Sequence, residues 1–153
     1  MTKPFDPQIS FYFHKTAFSL RNRRKLKHFI AEIFRAKKKS LGGLTYVFST
    51  DRDVLKINRQ YLNHDFYTDV ITFNLSNGRH IQGEVYLSVD RIKENAKKFN
   101  VSFTEELHRV IFHAVLHLCG YSDKSNSEKA SMRKQENEFL AQYFKLFHVK
   151  HSA

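Results

Sequence analysis

The chain has 153 residues, a length typical of one domain and sufficient to bury a hydrophobic core. Hydrophobic residues make up 41% of it, which excludes wholesale disorder, and only five Gly and two Pro predict few long loops. The formal net charge of +11 indicates a polyanionic partner, either nucleic acid or an anionic membrane surface. We expect residues 1–153 to form a single domain.

The cellular compartment is predicted by elimination. Cys119 is the only cysteine, so no intramolecular disulfide can form, which fits a reducing compartment. The first ten residues lack the apolar stretch of a signal peptide, and the longest apolar run is too short to span a membrane. We therefore expect a cytoplasmic protein with no membrane association.

Hydrophobic periodicity predicts four strands and five helices in mixed order, which is an α+β fold. The predicted strands cover residues 9–13, 44–49, 68–74 and 83–89, all rich in β-branched and aromatic residues. The predicted helices cover residues 20–39, 51–61, 90–99 and 104–119, and a last helix that begins after Ser125.

The first helix combines an apolar face with a strongly basic one. Its spacing places five apolar residues on one side: Leu26, Phe29, Ile30, Ile33 and Phe34. Gly42-Gly43 is expected to end it. The second helix is predicted to bury Val54, Leu55, Ile57 and Leu62 in the same way.

Capping signals mark the starts of the last two helices. Ser102 with Glu105, and Ser125 with Glu128, have the spacing of capping boxes, in which the two residues bond each other's backbone N–H groups. The apolar stripe of the last helix is predicted to be Met132, Phe139, Leu140, Tyr143, Phe144 and Phe147.

The fourth helix carries the most informative pattern, FHAVLHLCGYSD over residues 112–123. It is apolar nearly all round and therefore expected to be buried, while His113 and His117, four residues apart, share one stripe. Two buried imidazoles need partners, and one divalent metal ion would satisfy both. Two separately hydrogen-bonded core histidines would explain the same spacing.

The residues that follow favour the metal. Gly120 can adopt the left-handed conformation that reverses a chain after a helix, which would bring Asp123 toward the two histidines. Two His and one Asp leave a coordination position for water, as in catalytic sites. Cys119 points away from His117 around the helix and is expected to be a core residue.

Three blocks of sequence, in order, resemble one family. The segment HAVLHLCGYSD resembles the H-G-x-L-H-L-x-G-Y-x-H signature of the YbeY family of metal-dependent endoribonucleases. Upstream, INRQYLNHDFYTDVITFN and GEVYLS resemble two further blocks of that family, and downstream Met132 and Glu136 occupy the positions of its M-x-x-x-E helix. The resemblance spans about residues 50–140.

The resemblance implies a zincin-like α+β fold, with about four strands and five helices around a buried central helix. It implies one Zn²⁺ ion held by His113, His117 and position 123, and cleavage of single-stranded RNA during ribosomal RNA maturation. Ribosomal RNA and ribosomal particles are then the expected partners.

The chain departs from the family at three positions. The third ligand is Asp123 where the family usually has His, Ala114 replaces a Gly, and Leu62 replaces an Arg associated with catalysis or RNA binding. Arg59, one helical turn earlier, is the candidate to replace that Arg. Ala114 also stands where metallopeptidases of the HExxH type have their catalytic Glu, which argues against a peptidase.

Several other polar residues can be assigned either a structural or a functional role. Arg23, Arg24 and Lys27 on the first helix are candidates for binding RNA phosphates, although such a run can also be a solvated face. Asp69 is expected to form a local turn rather than to act in the site. Two roles near the site, for His64 and Glu84, are only weakly indicated.

The sequence thus predicts a metal-dependent endoribonuclease. One alternative is a non-catalytic RNA-binding assembly factor with a structural metal, which the missing Arg at position 62 favours. Another is a hydrolase of a different substrate, such as a peptide. The sequence gives neither the oligomeric state nor the choice between water and a 2′-hydroxyl as nucleophile.

Overall fold

The computed structural model describes residues 8–147, which form a four-stranded sheet and five helices. Residues 1–7 and 148–153, and the side chain of Phe147, lie outside the described part of the chain. The elements in chain order are β1 Gln8–Phe13, α1 Arg23–Ala36, β2 Leu41–Ser49, α2 Asp51–Leu62, β3 Val70–Asn74, β4 Ile81–Ser88, α3 Val89–Phe99, α4 Phe103–Leu118 and α5 Asn126–Phe147.

The sheet is mixed, with strand order β1-β2-β4-β3. The first three strands in that order are parallel, and β3 pairs with β4 in the antiparallel direction, with Ile71 opposite Tyr86. This arrangement confirms the predicted α+β class and the predicted numbers of strands and helices.

The helix α4 is the centre of the core, as its all-round apolar sequence predicts. Ten of its sixteen residues are buried. The Phe112 ring packs 5.3 Å from the Phe29 ring of α1, measured between centroids. On another side the buried Tyr46 hydroxyl of β2 donates a hydrogen bond of 3.0 Å to the Ile111 carbonyl. These contacts fix both the position and the rotation of α4 over the sheet.

One close approach sets the distance between the sheet and the end of α4. A Cβ atom at Gly83 of β4 would lie 2.7 Å from a methyl carbon of Leu118. Such a separation is below van der Waals contact, so the absent side chain of Gly83 is what lets Leu118 sit against the strand.

The helix starts follow the predicted capping signals. The Ser102 hydroxyl accepts a hydrogen bond from the Glu105 N–H (3.0 Å) at the start of α4. At α5, Glu128 N–H donates to the Ser125 hydroxyl (3.1 Å) and Ser125 N–H donates to the Glu128 carboxylate (2.9 Å). The second pair is thus a complete capping box.

The predicted limits of α1 are wrong at both ends. The helix begins at Arg23, because Asn22 is left-handed with φ 59°, and it ends at Ala36, with Lys38 also left-handed at φ 58°. Gly42 and Gly43, predicted to end the helix, instead lie in β2, where Gly43 pairs with both β1 and β4 and Gly42 lies at an irregularity in the pairing with β4. The run of basic residues conceals both boundaries, since Lys and Arg are good helix formers.

The predicted apolar faces are largely confirmed. All five apolar residues assigned to the core face of α1 are buried, as are Met132, Leu140, Tyr143 and Phe144 of α5. Leu62 is an error, because it is 39% exposed at the last turn of α2. The strands β2 and β4 also begin earlier than predicted, and β3 begins at Val70 rather than residue 68.

No helix between residues 8 and 147 combines the length and the apolar character needed to cross a lipid bilayer.

Candidate metal centre

Two imidazole rings project side by side from the last turns of α4. The centroids of the His113 and His117 rings are 4.6 Å apart, and the ring planes are nearly perpendicular at 83°. Both side chains are partly exposed, whereas the residues around them on α4 are mostly buried. The i, i+4 spacing therefore delivers two neighbouring nitrogen ligands at the edge of the core, as the sequence predicts.

The chain reverses directly after these rings. Gly120 has φ +101°, a conformation that L side chains rarely adopt, and its N–H donates to the His117 carbonyl (3.0 Å). The Tyr121 N–H then donates to the Leu116 carbonyl (3.0 Å), which closes the end of the helix. Cys119, at the turn, is buried as predicted, and burial raises the pKa of its thiol to about 11.

The reversal brings Asp123 against both rings. Its Oδ2 atom lies 3.5 Å from Nε2 of His113 and 3.4 Å from Nε2 of His117. The edge of a tetrahedron with metal–ligand bonds of about 2.0–2.1 Å is about 3.4 Å, so these separations match those between ligands of one zinc ion. Among the described residues, His113, His117 and Asp123 form the group whose side-chain atoms could hold a metal.

Glu136 of α5 positions the first of these histidines. Its Oε2 lies 2.6 Å from Nδ1 of His113, and its side chain is only 6% exposed. A carboxylate accepts a hydrogen bond there, so Nδ1 carries the hydrogen, and Nε2, which faces Asp123, is the ring nitrogen that can bind a metal. From the sequence this residue is visible only as part of the M-x-x-x-E resemblance.

The two histidines differ in proton affinity. Burial lowers the pKa of His113, but the hydrogen bond and charge of Glu136, with the charges of Asp123 and Asp69, raise it by more, so the net shift is upward. Burial and the neighbouring His113 lower the pKa of His117. The carboxylates around His113 thus increase its basicity, and a more basic imidazole is also a stronger metal ligand.

Two cavities meet at the candidate ligands. Their volumes are about 350 Å³ and 400 Å³, and His113, Asp123, Asp69 and Val70 line both of them. His117 lines the larger cavity. A metal at these ligands would therefore remain accessible to a substrate, as a catalytic site requires and a closed structural site does not.

Asp69 is a site residue that the sequence interpretation undervalued. Its backbone carbonyl accepts a hydrogen bond from Ser88 N–H (2.9 Å), which ties the start of β3 to the end of β4. Its carboxyl, however, lies in the walls of both cavities and is 3.4 Å from the Asn95 amide nitrogen. Burial raises the pKa of this carboxyl. The residue precedes β3 directly, and its approach to α4 depends on the packing of β3, which residue spacing does not reveal.

A second buried pair on α4 was missed altogether. Glu106 and Arg109 line the smaller cavity, and their side-chain charges are 3.6 Å apart. Arg109 also lies 3.4 Å from Glu136. Burial raises the pKa of Glu106 to about 7, against the opposing effect of Arg109. The signal was available, because Glu106 and Arg109 continue the His113–His117 stripe along the helix.

The structure brings the remaining candidates to other surfaces. Arg59 forms an ion pair with Asp65, both largely exposed, and lines neither cavity. Glu84 accepts a hydrogen bond from the Tyr86 hydroxyl (3.1 Å) and likewise lines neither.

The basic residues singled out on α1 form an exposed group that we call the α1 basic cluster: Arg23, Arg24 and Lys27. The Arg23 guanidinium lies 4.6 Å from the centroid of the Phe13 ring, and the Lys27 ammonium 5.7 Å from that of Phe11. The cluster therefore lies beside β1, at the edge of the sheet opposite β3.

Known proteins resemble this chain over most of its length. The family model described as Endoribonuclease YbeY matches residues 10–144. A protein named Endoribonuclease YbeY from Flavobacterium psychrophilum is 46% identical over 133 residues, covering 87% of this chain and 92% of that protein. Another of that name, from Bacteroides thetaiotaomicron, is 42% identical over 119 residues, covering 78% and 87%.

A solved structure supports the same fold. The solution structure of TM1509 from Thermotoga maritima aligns with a TM-score of 0.60 and 23% sequence identity, covering 94% of this chain and 92% of that one. With a family model that covers most of the sequence and relatives above 40% identity, the chain belongs to the YbeY family.

Proposed function

We propose that this protein is a zinc-dependent endoribonuclease that hydrolyses phosphodiester bonds in single-stranded RNA, with His113, His117 and Asp123 as the metal ligands. The observation that carries the proposal is the convergence of two Nε2 atoms on one carboxylate oxygen at 3.4–3.5 Å, in the wall of open cavities. The names of the relatives support RNA as the substrate class.

The donor set suits zinc. Two imidazole nitrogens and one carboxylate oxygen are ligands that zinc accepts in catalytic sites with an open position. The carboxylate of Glu136 beside His113 is the kind of partner that metal-bound histidines usually have. When bound, the ion would lower the pKa of water and polarise a phosphoryl oxygen.

The side chains around the ligands have separate tasks in this proposal. Glu136 keeps the proton on Nδ1 of His113, so the ring cannot turn its N–H toward the substrate. Asp69, whose pKa is raised by burial, is the candidate to accept a proton from the attacking oxygen. Arg109 is held by three carboxylates and keeps the smaller cavity from becoming strongly negative.

Binding of the RNA backbone is assigned to residues outside these cavities. Arg59 replaces the family Arg absent at position 62, and Asp65 orients its guanidinium. The α1 basic cluster attracts RNA through its charge. We further propose that the substrate is ribosomal RNA in maturing particles and that residues 1–153 act as one domain.

The test is cleavage of a labelled single-stranded RNA by the zinc-loaded protein, by the protein treated with a chelator, and after zinc is added back. We expect cleavage to stop with the chelator and to return with zinc. His117→Ala should lose both bound zinc and activity. Ends bearing a 2′,3′-cyclic phosphate would identify the RNA 2′-hydroxyl as the nucleophile.

Two results would contradict the proposal. If the protein binds the RNA tightly but never cuts it, the rival role as a non-catalytic assembly factor is correct. If His117→Ala retains stoichiometric zinc, the assignment of ligands is wrong.

A further inference from the structure

Two aromatic side chains project into solvent from the segment that leads into the candidate metal centre. This segment, residues 64–67, is here called the aromatic loop; it follows α2 and carries Phe66 and Tyr67, which are 55% and 54% exposed. The next two residues, Thr68 and Asp69, line the larger cavity together with His113 and His117. The exposed rings therefore lie a few residues from the wall of the site.

The backbone of the aromatic loop is held firmly in spite of these exposed rings. The buried amide of Asn58 donates to the Phe66 carbonyl (2.9 Å), and the His64 N–H donates to the Asn58 carbonyl (3.1 Å). Asp65 is tied to Arg59 by an ion pair. Contacts with α2 thus hold the loop in place, and the two exposed rings contribute little to the stability of the fold. Exposed apolar groups that do not stabilise the fold indicate a binding surface.

Each ring is supported on one side by a group that nucleic-acid sites also use. The His64 ring stacks on Phe66 with centroids 5.1 Å apart and planes inclined by 21°. The Arg91 guanidinium carbon lies 5.0 Å from the centroid of the Tyr67 ring. A supported aromatic face next to cationic groups matches the two features of an unpaired nucleotide, a flat base and an anionic phosphate.

We propose that the aromatic loop binds unpaired nucleobases of the RNA substrate by stacking them on Phe66 and Tyr67, beside the candidate metal centre. This inference rests on the proposed function, because it takes single-stranded RNA as the substrate. The net charge of +11 on the chain supports a polyanionic occupant, and the Arg59 and Arg91 guanidiniums flank the loop, each paired with a carboxylate. The bases of a duplex already stack on one another, so the loop would favour single strands.

The test measures, by fluorescence anisotropy, how tightly wild type and loop variants bind a labelled single-stranded RNA. The RNA has about ten nucleotides, a length typical of single-strand binding sites. All proteins carry zinc and the Asp69→Asn substitution, which should slow cleavage without releasing the metal, and the RNA is recovered afterwards to verify that it is uncut. Phe66→Leu removes the ring but keeps an apolar side chain, and we expect affinity to fall about tenfold, with a further loss when Tyr67→Leu is added. The matched control is Tyr12→Leu, at a tyrosine that is 58% exposed on β1, at the opposite edge of the sheet.

Two further measurements separate stacking from charge and from misfolding. The loss should be the same at every salt concentration, because stacking releases no counterions. An RNA with an abasic nucleotide at the stacked position should bind wild type weakly, and Phe66→Leu should weaken that RNA no further. Thermal unfolding of the variants should match wild type, as expected for surface substitutions.

Four outcomes would overturn the inference. Affinity of Phe66→Leu within twofold of wild type would remove the loop from the RNA site while leaving the proposed function intact. An equal loss with Tyr12→Leu, or a loss that persists at every abasic position, would show that base stacking on this loop is not the cause. If wild type binds no single-stranded RNA, the proposed function fails and this inference fails with it.

Discussion

The contact between Glu136 and His113 predicts that two substitutions of Glu136 weaken zinc binding to different extents. The Nδ1–Oε2 distance of 2.6 Å and the near-complete burial of Glu136 make this a charge-assisted hydrogen bond shielded from water. Glu136→Gln keeps an oxygen that can accept the hydrogen bond from Nδ1 but removes the negative charge. Glu136→Ala removes both the charge and the bond.

The magnitude follows from what each variant loses. Loss of a carboxylate behind a metal-bound histidine weakens metal binding about 10- to 100-fold, which is roughly 1.4–2.7 kcal/mol. We expect Glu136→Gln near the lower end, since the amide still holds the ring in place. Glu136→Ala should lie near the upper end, because the ring can then rotate and Nδ1 loses its acceptor.

Zinc affinity is measured by competition with a fluorescent chelator at alkaline pH, where protons do not compete for the imidazoles. Glu138→Gln is the matched control, since it makes the same change two residues away on the exposed side of α5. Circular dichroism verifies that each variant is folded. If both Glu136 variants bind zinc as tightly as wild type, Glu136 does not orient the His113 ring. The assignment of His113 Nε2 as a metal ligand then loses its main support.

Three further predictions concern catalysis, stability and RNA binding. Asp69→Asn should lower the cleavage rate about 10²- to 10⁴-fold with zinc affinity nearly unchanged, as expected for loss of a general base; full activity in the cleavage assay would remove Asp69 from that role. Glu106 has a pKa of about 7 in the folded protein against a usual value of 4.5, so the fold holds its proton more tightly than the unfolded chain and is destabilised as pH rises between those values. Glu106→Gln should therefore be more stable than wild type above pH 7 by up to roughly 3 kcal/mol, and equal to it below about pH 4.5, in urea unfolding; a less stable variant at high pH would mean that attraction to Arg109 outweighs burial. Neutralising the α1 basic cluster should make the plot of log affinity against log salt shallower by about 2, and an unchanged slope would exclude the cluster from the RNA surface.

Local sequence patterns were sufficient to predict the part of the site that is local. The spacing of His113 and His117, the glycine at position 120 and the carboxylate at position 123 lie within eleven residues, so helix geometry and one chain reversal determine their arrangement. The central burial of α4 was equally predictable, because a helix with apolar residues on nearly every side must be covered on every side.

The contributions from distant segments were not predictable in the same way. Glu136 reaches His113 from α5, and Asp69 reaches the cavities from the start of β3, so both depend on how separate elements pack. Its spacing from position 62 makes Arg59 a candidate, yet the structure pairs its guanidinium with Asp65. The ends of α1 were missed because Asn22 and Lys38 adopt left-handed conformations that their neighbours do not signal.

The close approach at Gly83 makes the candidate metal centre sensitive to a residue that is not one of its ligands. An added methyl group there would push on Leu118, which directly follows His117 in the chain. The displaced end of α4 would carry one imidazole away from Asp123 while the remainder of the core stayed packed. A substitution of Gly83 would therefore abolish activity in a protein that still folds. Genetic screens for loss of activity should find substitutions at Gly83 as well as at the three candidate ligands.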